Sequence, residues 1–255
     1  MRTIASFPDQ GSASHVDVRR VGRLIALEGG ESSGKSTQAA LLASRLGALL
    51  TREPGGCELG ERVRSMLLGS PGKKLAARAE ALLFLAARAQ HVTEVVQPAL
   101  AAGGWVVVDR FAGSTLAYQG YGAGLDLAEL EGISQWAAGG VAADMFVLID
   151  ISLELLNLRA AAREAPPDRF ESEDSAFHER VLAGYREIAR SDPEHWVVVD
   201  GAGSVDEVAV RVLAEVVDRL GAPHGGHPLG EDWFADYRAA DGRSEDGADD
   251  DDGSS

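Results

Sequence analysis

The sequence predicts an α/β fold: a five-stranded parallel sheet flanked by helices. Three observations carry that expectation. Five short apolar, β-branched segments show no polar alternation, as strands covered on both faces do. Stretches with helical periodicity separate them, which is the pattern of a doubly wound domain. A glycine-rich loop joins the first apolar segment to the first helical stretch.

Strands are expected at Leu24 to Leu27, Ala48 to Leu50, Trp105 to Val108, Met145 to Ile149 and Trp196 to Val199. Helices are expected at Lys35 to Leu46, Gly60 to Leu68, Ala76 to Ala102, Leu127 to Ala138, Leu153 to Arg163, Ala176 to Arg190 and Val205 to Leu220. Ser204 with Glu207, and Asp126 with Glu129, reproduce or approximate capping-box spacing and mark two helix starts. The folded body is thus expected at residues 21–220. Residues 1–20 read as a polar extension, and Gly221 to Gly230 as a linker into an acidic tail.

The chain has 255 residues, 45% hydrophobic and 25% charged, which excludes collagen-like, mucin-like and wholly disordered classes. The longest apolar run, Ala81 to Ala87, is far shorter than a bilayer-spanning helix requires. The first twenty residues carry five charges and no apolar centre, so no secretory signal is read there. A single cysteine, Cys57, permits no internal disulfide and fits a reducing, cytoplasmic location. The net charge is -16, and residues 231–255 supply half of it, with ten acids against two bases. Such a block self-repels and has little apolar surface to bury, so it is expected to stay disordered; the overall sign also disfavours nucleic acid as a partner.

Gly29-Gly30-Glu31-Ser32-Ser33-Gly34-Lys35-Ser36, followed by Thr37, fits the P-loop pattern between a strand and a helix. The glycines let successive backbone N–H groups face phosphate oxygens, and the helix N-terminus adds its positive end. Lys35 is one of only three lysines in the chain and stands where the β- and γ-phosphates are reached. Ser36 is placed to ligate Mg²⁺. ATP binding is therefore expected at residues 29–37.

What accepts the phosphoryl group is the next question. No guanine-reading Asn-Lys-x-Asp is present, and Asp200-Gly201-Ala202-Gly203 reads as a strand-to-helix turn. The third strand ends in Asp109-Arg110, which puts an acid and a guanidinium at the crevice where open α/β sheets bind ligands. Asp109 suits Mg²⁺ and Arg110 suits phosphate, or the two form a structural ion pair. Arg52, Arg64 and Arg88 add cations around that crevice. Phe84 and Arg88 stand four apart on one helix face; Phe84 reads as a core residue or as a base platform, with Arg88 beside it to read the base edge.

Together, Thr51-Arg52-Glu53-Pro54-Gly55-Gly56, Phe84-Leu85-Ala86-Ala87-Arg88, Asp109-Arg110-Phe111-Ala112-Gly113-Ser114-Thr115 and Ala117-Tyr118-Gln119-Gly120 resemble bacterial thymidylate kinase, in order behind the P-loop. Asp168-Arg169-Phe170-Glu171 is similar to the end of that family's lid, here about 159–174. The resemblance spans about 21–218 and implies Mg²⁺-dependent transfer of the ATP γ-phosphoryl group to dTMP by a homodimer. By position it implies that Phe84 stacks on thymine, that Arg88 bonds its carbonyl edge, and that Ser114, Thr115 and Gln119 complete base recognition. Tyr118 crowds the ribose 2′ position, and Glu31 meets the 3′-hydroxyl or a lid arginine. Arg52, Arg64 and Arg110 surround the acceptor phosphate, with Glu53 and Asp109 near the metal. Arg159, Arg163 and Arg169 are the lid-arginine candidates, with Arg163 and Arg169 preferred. Phe111 departs from the tyrosine or histidine usual there.

A phosphate monoester is already a dianion near neutral pH and needs no general base, only cancellation of repulsion. A nucleoside acceptor would instead require a carboxylate base such as Glu31 or Glu53. A non-catalytic nucleotide-binding protein is the reading from a different class.

Overall fold

The computed structural model describes residues 22–69, 75–162 and 168–221. The N-terminal extension, the acidic tail, Arg163 and the paired prolines Pro166 and Pro167 lie outside the described residues.

Five strands form: β1 (Arg23–Glu28), β2 (Leu49–Arg52), β3 (Trp105–Asp109), β4 (Met145–Asp150) and β5 (Trp196–Asp200). All neighbours pair in parallel, in the order β2-β3-β1-β4-β5. The five apolar segments anticipated from sequence are these strands. Each extends one or two residues further, to a charged residue: Glu28, Arg52, Asp109, Asp150 and Asp200. In a parallel sheet those side chains gather at one edge, the edge at which ligands bind.

The helices are α1 (Lys35–Leu46), α2 (Glu58–Leu68), α3 (Ala77–His91), α4 (Gln97–Ala101), α5 (Ala112–Thr115), α6 (Leu127–Ala137), α7 (Leu153–Ala161), α8 (Ser175–Ser191) and α9 (Val205–Leu220). The expected helix Ala76 to Ala102 is two helices, α3 and α4, joined by a π-helical turn at Val92–Val96. Neither α5 nor the π-helical segment Leu116–Gly122 that continues it is expected from the residue pattern. Glycines at 113, 120 and 122 lower helix propensity there. They are needed for close packing, since a Cβ on Gly122 would lie 2.7 Å from the Phe177 ring of α8.

The caps form as their spacing suggests. Ser204 and Glu207 bond reciprocally at the start of α9, and Asp126 Oδ1 accepts from Glu129 N at 2.8 Å. Side chains alternate across the sheet. Ile25, Leu27, Val107 and Val147 pack under α1 and α9 on one face. Leu24, Ala26, Val106 and Val108 pack on the other, against Val92, Val96 and Leu100. With both faces buried, the sheet holds its polar carboxyl edge rigidly.

Candidate active site

The P-loop wraps between β1 and α1. Gly29 (φ 148°) and Gly34 (φ 91°) occupy conformations that favour glycine, and a Cβ on Gly29 would lie 2.8 Å from Ile149 O. Lys35 is buried, donates to Gly30 O at 3.1 Å and lies 3.9 Å from Glu31 Oε2. Burial, reinforced by the nearby Arg110 charge, lowers its pKa, while Glu31 and Asp109 oppose the shift. Ser36 and Thr37 are exposed in the first turn of α1. Arg159 of α7 bridges the loop to the end of the sheet, donating to Ser33 O at 3.1 Å and Gly201 O at 2.9 Å. Beside it Thr37, Gln38, Gly203 and Ser204 line a recess of about 680 Å³.

Arg110, directly after β3, adopts φ 70°, a left-handed conformation costly for a non-glycine residue. Its hydrogen bonds over-determine that geometry. One terminal nitrogen donates to Gly29 O, Ser114 Oγ and Tyr185 OH, all within 3.1 Å; the other donates to Glu31 Oε1 at 2.7 Å and Tyr118 OH at 3.1 Å. Burial alone would raise Glu31, but Arg110 and Lys35 outweigh it and hold the carboxyl at about 2. Arg110 therefore fixes a carboxylate inside the phosphate loop and frames the space beside it.

Beneath this pair lies Glu28, the fully buried last residue of β1. It accepts from Phe111 N at 2.9 Å, Ser114 Oγ at 2.6 Å and Tyr185 OH at 3.2 Å. Burial pushes its carboxyl up, with Ser114 and Arg110 pulling the other way.

A cleft of about 540 Å³ opens next to Arg110, and it brings together ten residues expected at the acceptor. Glu31, Arg110 and Tyr118 form the wall toward the P-loop. Glu53 and Arg64 lie alongside, and Phe84, Arg88, Ser114, Thr115 and Gln119 complete the lining. Phe170 closes over Phe84 at 5.9 Å between ring centroids and stands edge-on to Tyr118 at 5.6 Å. Arg88 donates to Glu53 Oε2 at 2.7 Å and Ser134 Oγ at 2.8 Å, with its guanidinium 5.1 Å from the centre of the Phe111 ring. Phe111 thus supplies an aromatic face beneath Arg88, without the hydroxyl or imidazole that a tyrosine or histidine would carry there.

Four residues stand differently from expectation. Both Glu53 oxygens are engaged, one by Arg88 and one by His91 Nδ1 at 3.0 Å, and Glu53 lines the cleft whereas Asp109 lines the neighbouring recess. Arg52 lies outside the cleft, donating to Glu61 at 3.1 Å in a neighbouring recess that Ser36 and Asp109 also line. Ser114 is committed to Glu28, Arg110 and Tyr185. Arg169 is held on the acceptor side, pairing with Glu80, donating to Leu67 O at 3.1 Å and lying 4.1 Å over Phe170. Of the two lid candidates among the described residues, Arg159 and Arg169, Arg159 is the one that touches the P-loop.

Asp109 Oδ1 is buried with no hydrogen-bond partner among the described residues. An unpaired buried carboxylate oxygen is costly unless a cation or donor satisfies it. With the Ser36 hydroxyl lining the same recess, Asp109 fits a hard divalent ion.

Glu28, Glu80, His91, Ser134 and Tyr185 were not anticipated. Glu28 could have been found, as an acid ending a buried strand directly before the P-loop. The other four come from distant helices, and their spacing carries no signal.

The family model for thymidylate kinase matches residues 27–212. The chain belongs to the thymidylate kinase family. The thymidylate kinase of Nitrobacter hamburgensis is 46% identical over 206 residues, covering 78% of this chain and 90% of the relative. That of Solidesulfovibrio magneticus is 47% identical over 203 residues, covering 75% and 97%. The crystal structure of thymidylate kinase from Ehrlichia chaffeensis aligns with a TM-score of 0.62 at 31% identity, over 76% of this chain and 98% of that one. Thymidylate kinases are ATP-dependent dTMP kinases.

Proposed function

We propose that this thymidylate kinase transfers the γ-phosphoryl group of ATP to dTMP, giving dTDP and ADP, with Mg²⁺ held by Ser36 and Asp109. The observation that carries the reading is the cleft itself: an aromatic wall at Phe84 and a cationic end at Arg110, opening beside the P-loop lysine. Thymine stacks on Phe84 between Arg88 and Gln119. The acceptor phosphate lies toward Arg110 and Arg64, and Tyr118 stands at the sugar.

The acceptor dianion needs no general base, so the residues act by positioning and charge. Lys35 and the P-loop N–H groups hold the donor phosphates. Arg110 and Arg64 lower the repulsion between two polyanions and align the acceptor oxygen. Arg159, one of the lid-arginine candidates, ties the donor loop to the end of β5. Bound Mg²⁺ supplies neutralisation of the β- and γ-phosphate charge. A homodimer and a cytoplasmic location are also proposed. Trp136 on α6, 83% exposed, and Leu82 on α3, 60% exposed, support the first. Among the described residues no helix is long and apolar enough to cross a membrane.

ADP release measured with dTMP, dUMP, dCMP, dAMP and thymidine tests the reading. The expected result is preference for dTMP, abolished in Lys35→Ala. Preference for thymidine, or no transfer from a protein that still binds ATP, overturns it.

A further inference from the structure

Glu80, on α3, does not line the acceptor cleft, yet it is buried and contacts two residues that bear on it. One oxygen accepts from Gln119 Nε2 at 2.9 Å, and the other pairs with Arg169, which lies over Phe170. A carboxylate paired with a guanidinium is an acceptor only. A glutamine amide has one donor end and one acceptor end, so beside such a group it must turn its NH₂ inward. Gln119 is 2% exposed, lines the cleft, and its Oε1 makes no hydrogen bond among the described residues. Glu80 thus fixes which end of that amide remains for a ligand.

We propose that Glu80 is a positioning residue for base selection. By holding Gln119 Nε2 it presents Gln119 Oε1 to the cleft as a fixed acceptor, suited to a pyrimidine whose ring N3 carries hydrogen. Thymine and uracil meet that requirement. Cytosine does not, because its N3 is itself an acceptor and faces the same oxygen with a lone pair. Arg169 pairs with Glu80 and packs against Phe170 at the base wall, so one buried ion pair serves both amide orientation and closure of the cleft. The inference rests on the dTMP reading above and names the group behind its selectivity.

The test is steady-state kinetics with dTMP, dUMP and dCMP in wild type, Glu80→Gln and Glu80→Asp. A glutamine at 80 can donate or accept, so it releases the Gln119 amide to turn over. The kcat/KM preference for dTMP over dCMP is expected to fall about 10-fold in Glu80→Gln, the size of one oriented hydrogen bond. The preference for dTMP over dUMP stays as in wild type, since both bases carry N3–H. The KM for ATP is unchanged, and Glu80→Asp restores most of the dTMP-over-dCMP preference. Should Glu80→Gln not fold, Glu80→Ala carries the same expectation. An undiminished dTMP-over-dCMP preference in an active Glu80→Gln enzyme, or an equal loss toward all three acceptors, overturns the inference. A wild-type protein that does not phosphorylate dTMP overturns the functional reading instead.

Discussion

The Arg110 guanidinium donates to Glu31 Oε1 across 2.7 Å, joining the residue after β3 to the middle of the P-loop. Donor cradle and acceptor cleft therefore share one ion pair. The pair is mostly buried, with Tyr118 and Tyr185 completing the hydrogen bonds of the guanidinium.

Removing Arg110 should affect both rate and stability. Arg110→Ala is expected to lower kcat about 100-fold, through loss of a fixed cation at the transferring phosphoryl group. It should also cost about 3 kcal/mol of folding stability, since Glu31 is left beside Lys35 in a site built for three partners. Single-turnover kinetics and urea unfolding check the two effects. Wild-type stability with lost activity would show that the network is not part of the fold.

The two carboxyls near Arg110, Glu31 and Glu28, give opposite pH signatures. The Glu31 pKa is lowered from 4.5 to about 2, so its contribution is complete above 4.5 and is lost as pH falls toward 2. The Glu28 pKa is raised above 4.5, so the folded state keeps that proton longer and stability declines as pH rises through the raised value. Urea midpoints measured against pH should lose their acid-side fall in Glu31→Gln, and their decline above 4.5 in Glu28→Gln.

Asp109→Asn should separate activity from stability. The substituted amide relieves a buried carboxylate oxygen that has no partner among the described residues, so the urea midpoint should hold or rise. The Mg²⁺ concentration for half-maximal rate should increase about 10-fold or more. A magnesium titration of both enzymes decides the point.

Arg159 and Phe84 belong to different substrates. Arg159→Ala is expected to raise the KM for ATP with little change in the KM for dTMP, because its two contacts are P-loop and β5-edge carbonyls. Phe84→Ala should raise the KM for dTMP about 10-fold and spare ATP, the scale of one lost base-stacking contact. Paired KM measurements are the check, and crossed effects would contradict the division of the site.

Most of the fold was legible because the parallel sheet announces itself as uninterrupted apolar strands separated by helical stretches, two of them with a cap to mark the start. The P-loop was legible for the same local reason: its glycines, lysine and serine lie within eight residues. The network behind it was not. Glu28 meets Tyr185 across 157 positions, and Arg88 meets Ser134 across 46, so neither contact leaves a spacing to read. The segment Ala112–Gly122 was missed for a different reason. Its glycines disfavour helix locally, and packing against α6 and α8 prevails. The position of Arg169 depends on Glu80, whose presence opposite it only the folded chain reveals.

The π-helical segment Leu116–Gly122 has a practical consequence for anyone redesigning the acceptor pocket. Its wider turn sets where Tyr118 and Gln119 emerge, and each residue of helix advances the direction of a side chain by about 100°. Deleting a single codon here would swing both groups off the wall without altering either. Segment length is thus as much a design variable as side-chain identity, and libraries that vary only the latter will miss it.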